Sequence, residues 1–220
     1  GSSRQVNGTI FNFGTLDGAQ APMVMSGSLS LSAGSLLGDV IGRGLNATFT
    51  ANSTSTGQLI SEGTTNVVSG IIPAGMTLWV RGGETGHGTT LSAGNTTVNR
   101  GTLRMESVAS AWWSRLSGQW RNEGLMLINQ GTGGDRTIQG TFSNTGEIRI
   151  ERGARMEGNF TMQGGSIDTG NEGFFNLGGT STFLGGTSRG PVGNQGGILQ
   201  IPFGSTFVGD LTTKLETTFE

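Results

Sequence analysis

The stretch Asn144 to Phe160, NTGEIRIERGARMEGNF, decides the reading of the fold. After Gly146 the residues alternate: Glu147 out, Ile148 in, Arg149 out, Ile150 in, Glu151 out. That is the period of two a half-buried strand requires, and the chain then turns at Gly153. A second copy stands at Gly197 to Leu211, GILQIPFGSTFVGDL. Here Leu199 and Ile201 answer Ile148 and Ile150, Gly204 answers Gly153, and Phe207 answers Met156. A third copy opens at Gly27, with Leu29, Leu31, Gly34 and Leu37 at the same offsets. The stretch therefore reads as one coil of a repeat.

Working outward, the Asn-x-Gly signal measures the period, because Asn and Gly tolerate the positive φ that tight corners need. It falls at Asn99, Asn122, Asn144, Asn171 and Asn194, giving coils of about 22–25 residues with one interval of 27. Aligning the strands that follow predicts two inward columns: Leu103, Met126, Ile148, Phe175, and Met105, Ile128, Ile150, Leu177. A bulge at Gly196-Gly197 would let Leu199 and Ile201 continue them. A second strand follows each first one, at Gly118-Gln119-Trp120, Gly140-Thr141-Phe142 and Gly158-Asn159-Phe160, each placing an aromatic on the far side of the core. No such coil can bury its own apolar face, so neighbours must stack with parallel hydrogen bonding between them. The fold class expected is all-β, a right-handed parallel β-helix or β-solenoid.

Composition agrees. Forty-two glycines with only four prolines, and no Gly-X-Y period, exclude collagen, while the spaced apolar residues exclude a disordered chain. With no cysteine and one histidine, neither disulfides nor a thiolate or two-histidine metal site is expected, and no cofactor. Thirteen basic and fifteen acidic residues, without runs of either sign, leave no electrostatic footprint for nucleic acid. No stretch of about 20 apolar residues predicts a membrane span.

Residues 1–3, Gly-Ser-Ser, read as a cloning remnant, and residues 4–220 as a single elongated solenoid excerpted from a longer protein. Residues 46–69 are Thr-, Ser- and Asn-rich and read as the least regular part, weaker coils or a looped-out segment. Only Ser107 to Leu116 offers a weak helical pattern. The apparent strand at 211–219 would either fold across the end as a cap or leave an open rung through which chains self-associate.

The pattern F-x-N-x-G-x-I-x-I-x-x-G-x-x-M-x-G-N-F at Phe142 to Phe160 resembles the degenerate repeats of bacterial surface and secreted β-solenoids, the autotransporter passengers and filamentous-haemagglutinin-like exoproteins. The resemblance implies an extracellular or cell-surface location and a role as stalk, adhesin or scaffold. It carries no specific activity.

Candidate sites emerge where coils depart from the ruler. From Gly146 to Gly158 the reference coil takes 12 residues, whereas Gly101 to Gly118 takes 17 and Gly124 to Gly140 takes 16. Insertions at equivalent corners of stacked coils project side by side. The first contains Trp112, Trp113 and Arg115, and the second Asp135 and Arg136. They are the candidate contacts for a glycan or surface-protein partner, against the competing reading that the Trp rings fold down as packing. Glu106 and Glu151, two coils apart, would stand roughly 10 Å apart, at or beyond the upper edge of glycosidase separations. His87 reads as an exposed loop residue without a partner. Gly133-Gly134-Asp135 is a fragment of a calcium-binding repeat that does not recur. The expected function is therefore a non-catalytic scaffold of a larger extracellular protein, the alternatives being a polysaccharide-cleaving β-helix or a glycan-binding module.

Overall fold

The computed structural model describes residues 2–84, 86–109, 111–129, 131–170, 173–209 and 211–214. Over these residues the chain winds into a parallel β-solenoid without a helix, and the described part of Ser107 to Leu116 is strand and turn. Past the first coils, each turn contributes to three ladders. The first runs through Met76–Gly82, Thr102–Ser107, Leu125–Ile128, Glu147–Ile150 and Ser166–Asp168. The second runs through Thr89–Ala93, Ser114–Ser117, Arg136–Ile138, Ala154–Met156, Phe175–Leu177 and Val192–Gln195. Thr97–Asn99, Gln119–Asn122, Thr141–Asn144, Asn159–Met162 and Ser181–Phe183 form the third.

The inward columns follow from alternation. Leu78, Leu103, Met126, Ile148 and Ile167 stack in register along the first ladder, beside Val80, Met105, Ile128 and Ile150. On the third, Trp120, Phe142 and Phe160 stack as the sequence predicts, the two Phe rings nearly parallel at 6.3 Å. Glycine opens this strand for a steric reason. A Cβ on Gly140 would lie 2.2 Å from the Gly118 carbonyl oxygen, and one on Gly158 would lie 1.8 Å from that of Gly140. Only glycine lets these corners close on one another.

The asparagines of the period signal point inward. Asn99 donates to Asn122 Oδ1 and Asn122 to Asn144 Oδ1, each at 2.7 Å, and all three are buried. Each also caps a corner carbonyl, as Asn122 does at Gly124 and Glu147. The column then ends: Asn144 faces Met162, 18 residues on.

Here the sequence alignment needs correction. Phe175 and Leu177 do not continue the Ile148 and Ile150 columns; they pair with Ala154 and Met156 on the second ladder. Ile167 is the true successor of Ile148. The corner after Ile150 is short, so this coil contracts, and counting from Asn144 to Asn171 overshoots into the next ladder. Asn171 itself lies outside the described residues. Leu199 sits on the third ladder opposite Ser181, and Ile201 is exposed.

Residues 46–69 are also more regular than their composition suggests. Asn46 to Phe49 pair with Val67 to Gly70, and Thr56–Ser61 pairs on both sides. Ala47, Phe49, Leu59, Ile60 and Val68 supply enough buried anchors. The register shifts fall earlier, between Gly18 and Met23, Met25 and Gly27, and Leu36 and Val40. At the other end, Leu211–Lys214 pairs in parallel with Val192–Gln195, adding a rung to the second ladder; the remainder of the predicted 211–219 strand lies outside the described residues.

Replacing Asn122 with Ala strands buried polar groups on both neighbours, each a loss of about 1–3 kcal/mol. The expected outcome is a marked fall in the urea midpoint followed through the buried Trp120. An unchanged midpoint would show that the asparagine column carries no stability.

Candidate functional site

Long corners lie between the first and second ladders, where the described residues of 83–88, 108–113 and 129–135 stack on three successive coils. The corner that follows, 151–153, is short, and the one after it, 169–174, is six residues again. The sequence aligns the second and third loops with each other and shows Gly82 to Gly88 as a glycine-rich loop holding His87, but does not place that loop beside them.

Main-chain hydrogen bonds clip the loops together. Val108 N–H donates to Gly82, Thr89 N–H to Trp113, Ser114 N–H to Asp135, and Thr132 N–H to Ser107. The Ser107 hydroxyl donates to the Trp112 carbonyl at 2.6 Å. Packing is closest at Gly134, whose φ is +75°; a Cβ there would stand 1.5 Å from the Trp112 carbonyl oxygen.

The candidate residues take different roles. Trp113 is partly buried and lies over Gly88, where a Cβ would come within 2.2 Å of the indole; its Nε1 is buried without a hydrogen-bond partner. It therefore braces the loop through Gly88. Arg115 occupies an outward position on the second ladder between Thr90 and Thr137, its guanidinium 5.7 Å from the Trp113 ring. Trp112 is half-buried, tilted 59° to Trp113, and meets the exposed His87 edge-on at 5.6 Å. His87 is thus part of the cluster, which the sequence, showing only a lone loop histidine, did not reveal. Asp135 is exposed.

Arg136 points inward. At 2% exposure it fills the column position between Ser114 and Ala154 and donates from Nη1 to the Gly133 and Gly134 carbonyls at 3.0 and 2.6 Å. Burial, with repulsion from Arg152, pushes its pKa below the ordinary arginine value. Its structural work is to anchor the third loop.

No family model, curated protein or solved structure matches this chain. The functional reading therefore rests on the geometry.

On the outer face of the first ladder, charge is paired. Glu62 is buried and accepts from Arg43 and Arg81 on the flanking coils, and Arg81 and Arg104 flank the Trp79 ring, with centroid distances of 4.8 and 4.0 Å. Glu106 pairs with Arg104 and Glu147 with Arg149. Near the third ladder, Glu123 is held below the usual carboxylate pKa by its hydrogen bond from Arg100, aided by Arg121. Among the described residues no three His, Cys, Asp or Glu side chains gather as a metal site, and no helix is long and apolar enough to cross a membrane.

Substituting Gly134 with Ala forces the third loop away from Trp112. We expect faster proteolysis within residues 129–135 while the far-UV β signal persists; equal protection in variant and parent would refute the close-packing account.

Proposed function

We propose that this chain is a structural and interaction scaffold, a stalk or adhesin segment of an extracellular bacterial protein, presenting the three-loop corner to a partner. The observation that carries the reading is the stacking of three long loops, with His87, Trp112 and Asp135 at their surface, on ladders that continue on either side. Loops held by a rigid scaffold are where binding concentrates, and half-buried aromatics are the usual anchors of a protein contact. A surface protein suits this corner better than a flat-stacking sugar. The His87 and Trp113 rings are inclined to Trp112 by 61° and 59°, so the cluster offers edges and no shared platform.

The pairing of Glu62, Glu106, Glu123, Glu147 and Glu157 with arginines supports the scaffold reading. A carboxylate bound in this way lacks the freedom of a general acid or base.

Binding of labelled protein to intact cells, with and without protease shaving, tests the proposal. Shaving should abolish binding, and the double substitution His87→Ala and Trp112→Ala should reduce it at least tenfold with the β signal intact. Equal binding by the double variant would reject the corner. Release of new reducing or unsaturated ends from acidic polysaccharides would reject the scaffold reading itself.

A further inference from the structure

Beside the three-loop corner, the outer face of the second ladder carries a groove to which nothing above gives a role. Its main cavity, about 410 Å³, is lined by Asp135, Arg136, Arg152, Arg155 and Phe174 among others, and an adjoining one, about 340 Å³, by Arg155, Glu157, Asn176, Gly178 and Gln195. Both volumes fall in the range of small-ligand sites, roughly 300–1,000 Å³.

The groove originates in a step between coils. The third loop, 129–135, is long, and the corner above it, 151–153, is short, so the end of the loop forms a wall that the next coil does not cover. Past Arg155, small side chains deepen the floor: the outward row Thr137, Arg155, Asn176 continues to Gly193, and Gly178 stands one residue beyond the paired Leu177.

Three kinds of group converge there. Phe174 is 46% exposed, and its ring lies across Gly153, where a Cβ would come within 2.2 Å of it. An aromatic pinned flat on a glycine offers its free face to an apolar ring surface. Arg152 is exposed, donates to the Gly131 carbonyl at 3.2 Å, and forms no ion pair among the described residues. Arg155, paired with Glu157, adds a second cation. Asn176 and Gln195 supply amides, each able both to donate and to accept.

An open aromatic face, an exposed guanidinium with no ion pair among the described residues, and two amides match one ligand chemistry. We infer that the groove binds a carboxylate-bearing saccharide: the sugar ring stacks on Phe174, its carboxylate meets Arg152 as a charge-assisted fork, and its hydroxyls meet Asn176 and Gln195. This binding is separate from the partner contact of the corner and does not depend on it.

Titration calorimetry and NMR with a hexuronate tetrasaccharide, beside its carboxyl-reduced counterpart and a sulfated neutral tetrasaccharide, test the inference. The hexuronate should bind, the carboxyl-reduced sugar at least tenfold more weakly, and the sulfated one more weakly than the hexuronate. Arg152→Gln and Phe174→Ala should each weaken hexuronate binding at least tenfold, with circular dichroism and melting unchanged. Gly153→Ala, which lifts the Phe174 ring from its seat, should do the same without removing a contact group. The His87→Ala and Trp112→Ala variant should bind the hexuronate as the parent does, so that failure of the corner and failure of the groove are told apart. No hexuronate binding, equal binding of the reduced sugar, preference for the sulfated one, or indifference to Arg152→Gln would each overturn the assignment.

Discussion

The structure depends on hydrogen bonding between successive coils. A single coil of this chain has an apolar inward face and two rows of open main-chain groups, and neither is satisfied until another coil stacks on it. Each inward residue is consequently judged by its neighbours above and below. Leu103, Met126, Ile148 and Ile167 differ in shape but share one column, since a column asks for apolar volume and not for identity. The asparagines obey a stricter rule. Their amides repeat the main-chain pattern along the axis, donating to one neighbour and accepting from the other, so the column tolerates them while it is unbroken.

Two buried charges show how the stack absorbs exceptions. Glu62 is buried, a placement that is costly unless both oxygens are met, and Arg43 and Arg81 on the flanking coils meet them. Arg136 is the reverse case. It occupies an inward position among Thr89, Ser114 and Ala154, side chains too small to fill a corner widened by a seven-residue loop. The guanidinium fills that space and satisfies the Gly133 and Gly134 carbonyls, which a hydrocarbon could not do.

The solenoid was legible in the sequence because its period-two strands and Asn-x-Gly corners are local signals. The columns were legible through Ile148 and Ile150 and then lost, because the Asn count assumes coils of nearly constant length and the coil after Asn144 is short. Ser166-Ile167-Asp168, following Gly164-Gly165, was the available clue. Residues 46–69 misled for a different reason: their Ser and Thr residues largely face out, and composition hides the few inward anchors. The corner was found from insertion length alone, which locates a loop without saying which side chain points inward. Thus Arg136 and Trp113 were grouped with Asp135, though their neighbours in three dimensions, Ala154 and Gly88, turn them to structural use. His87 read as a lone loop residue and Phe174 did not stand out, because their partners Trp112 and Gly153 lie on other coils.

Regularity and recognition are opposed in a solenoid of this kind, and the opposition says where binding belongs. Coils of equal length cover one another's corners and leave flat, charge-paired faces, as around Arg104, Glu106, Glu147 and Arg149. A run of long corners makes a raised ridge, and the coil that ends the run leaves the flank of that ridge uncovered. The transition from 129–135 to 151–153 is such an end. It is there that Asp135, Arg152 and Arg155 line one cavity, with Arg136 holding the ridge in shape. Ridge and groove are therefore two consequences of one change in coil length. A deletion that shortened 129–135 to match the corner above it would move the uncovered flank back to 108–113 and dismantle the groove, leaving a ridge of two loops and ladders still able to form.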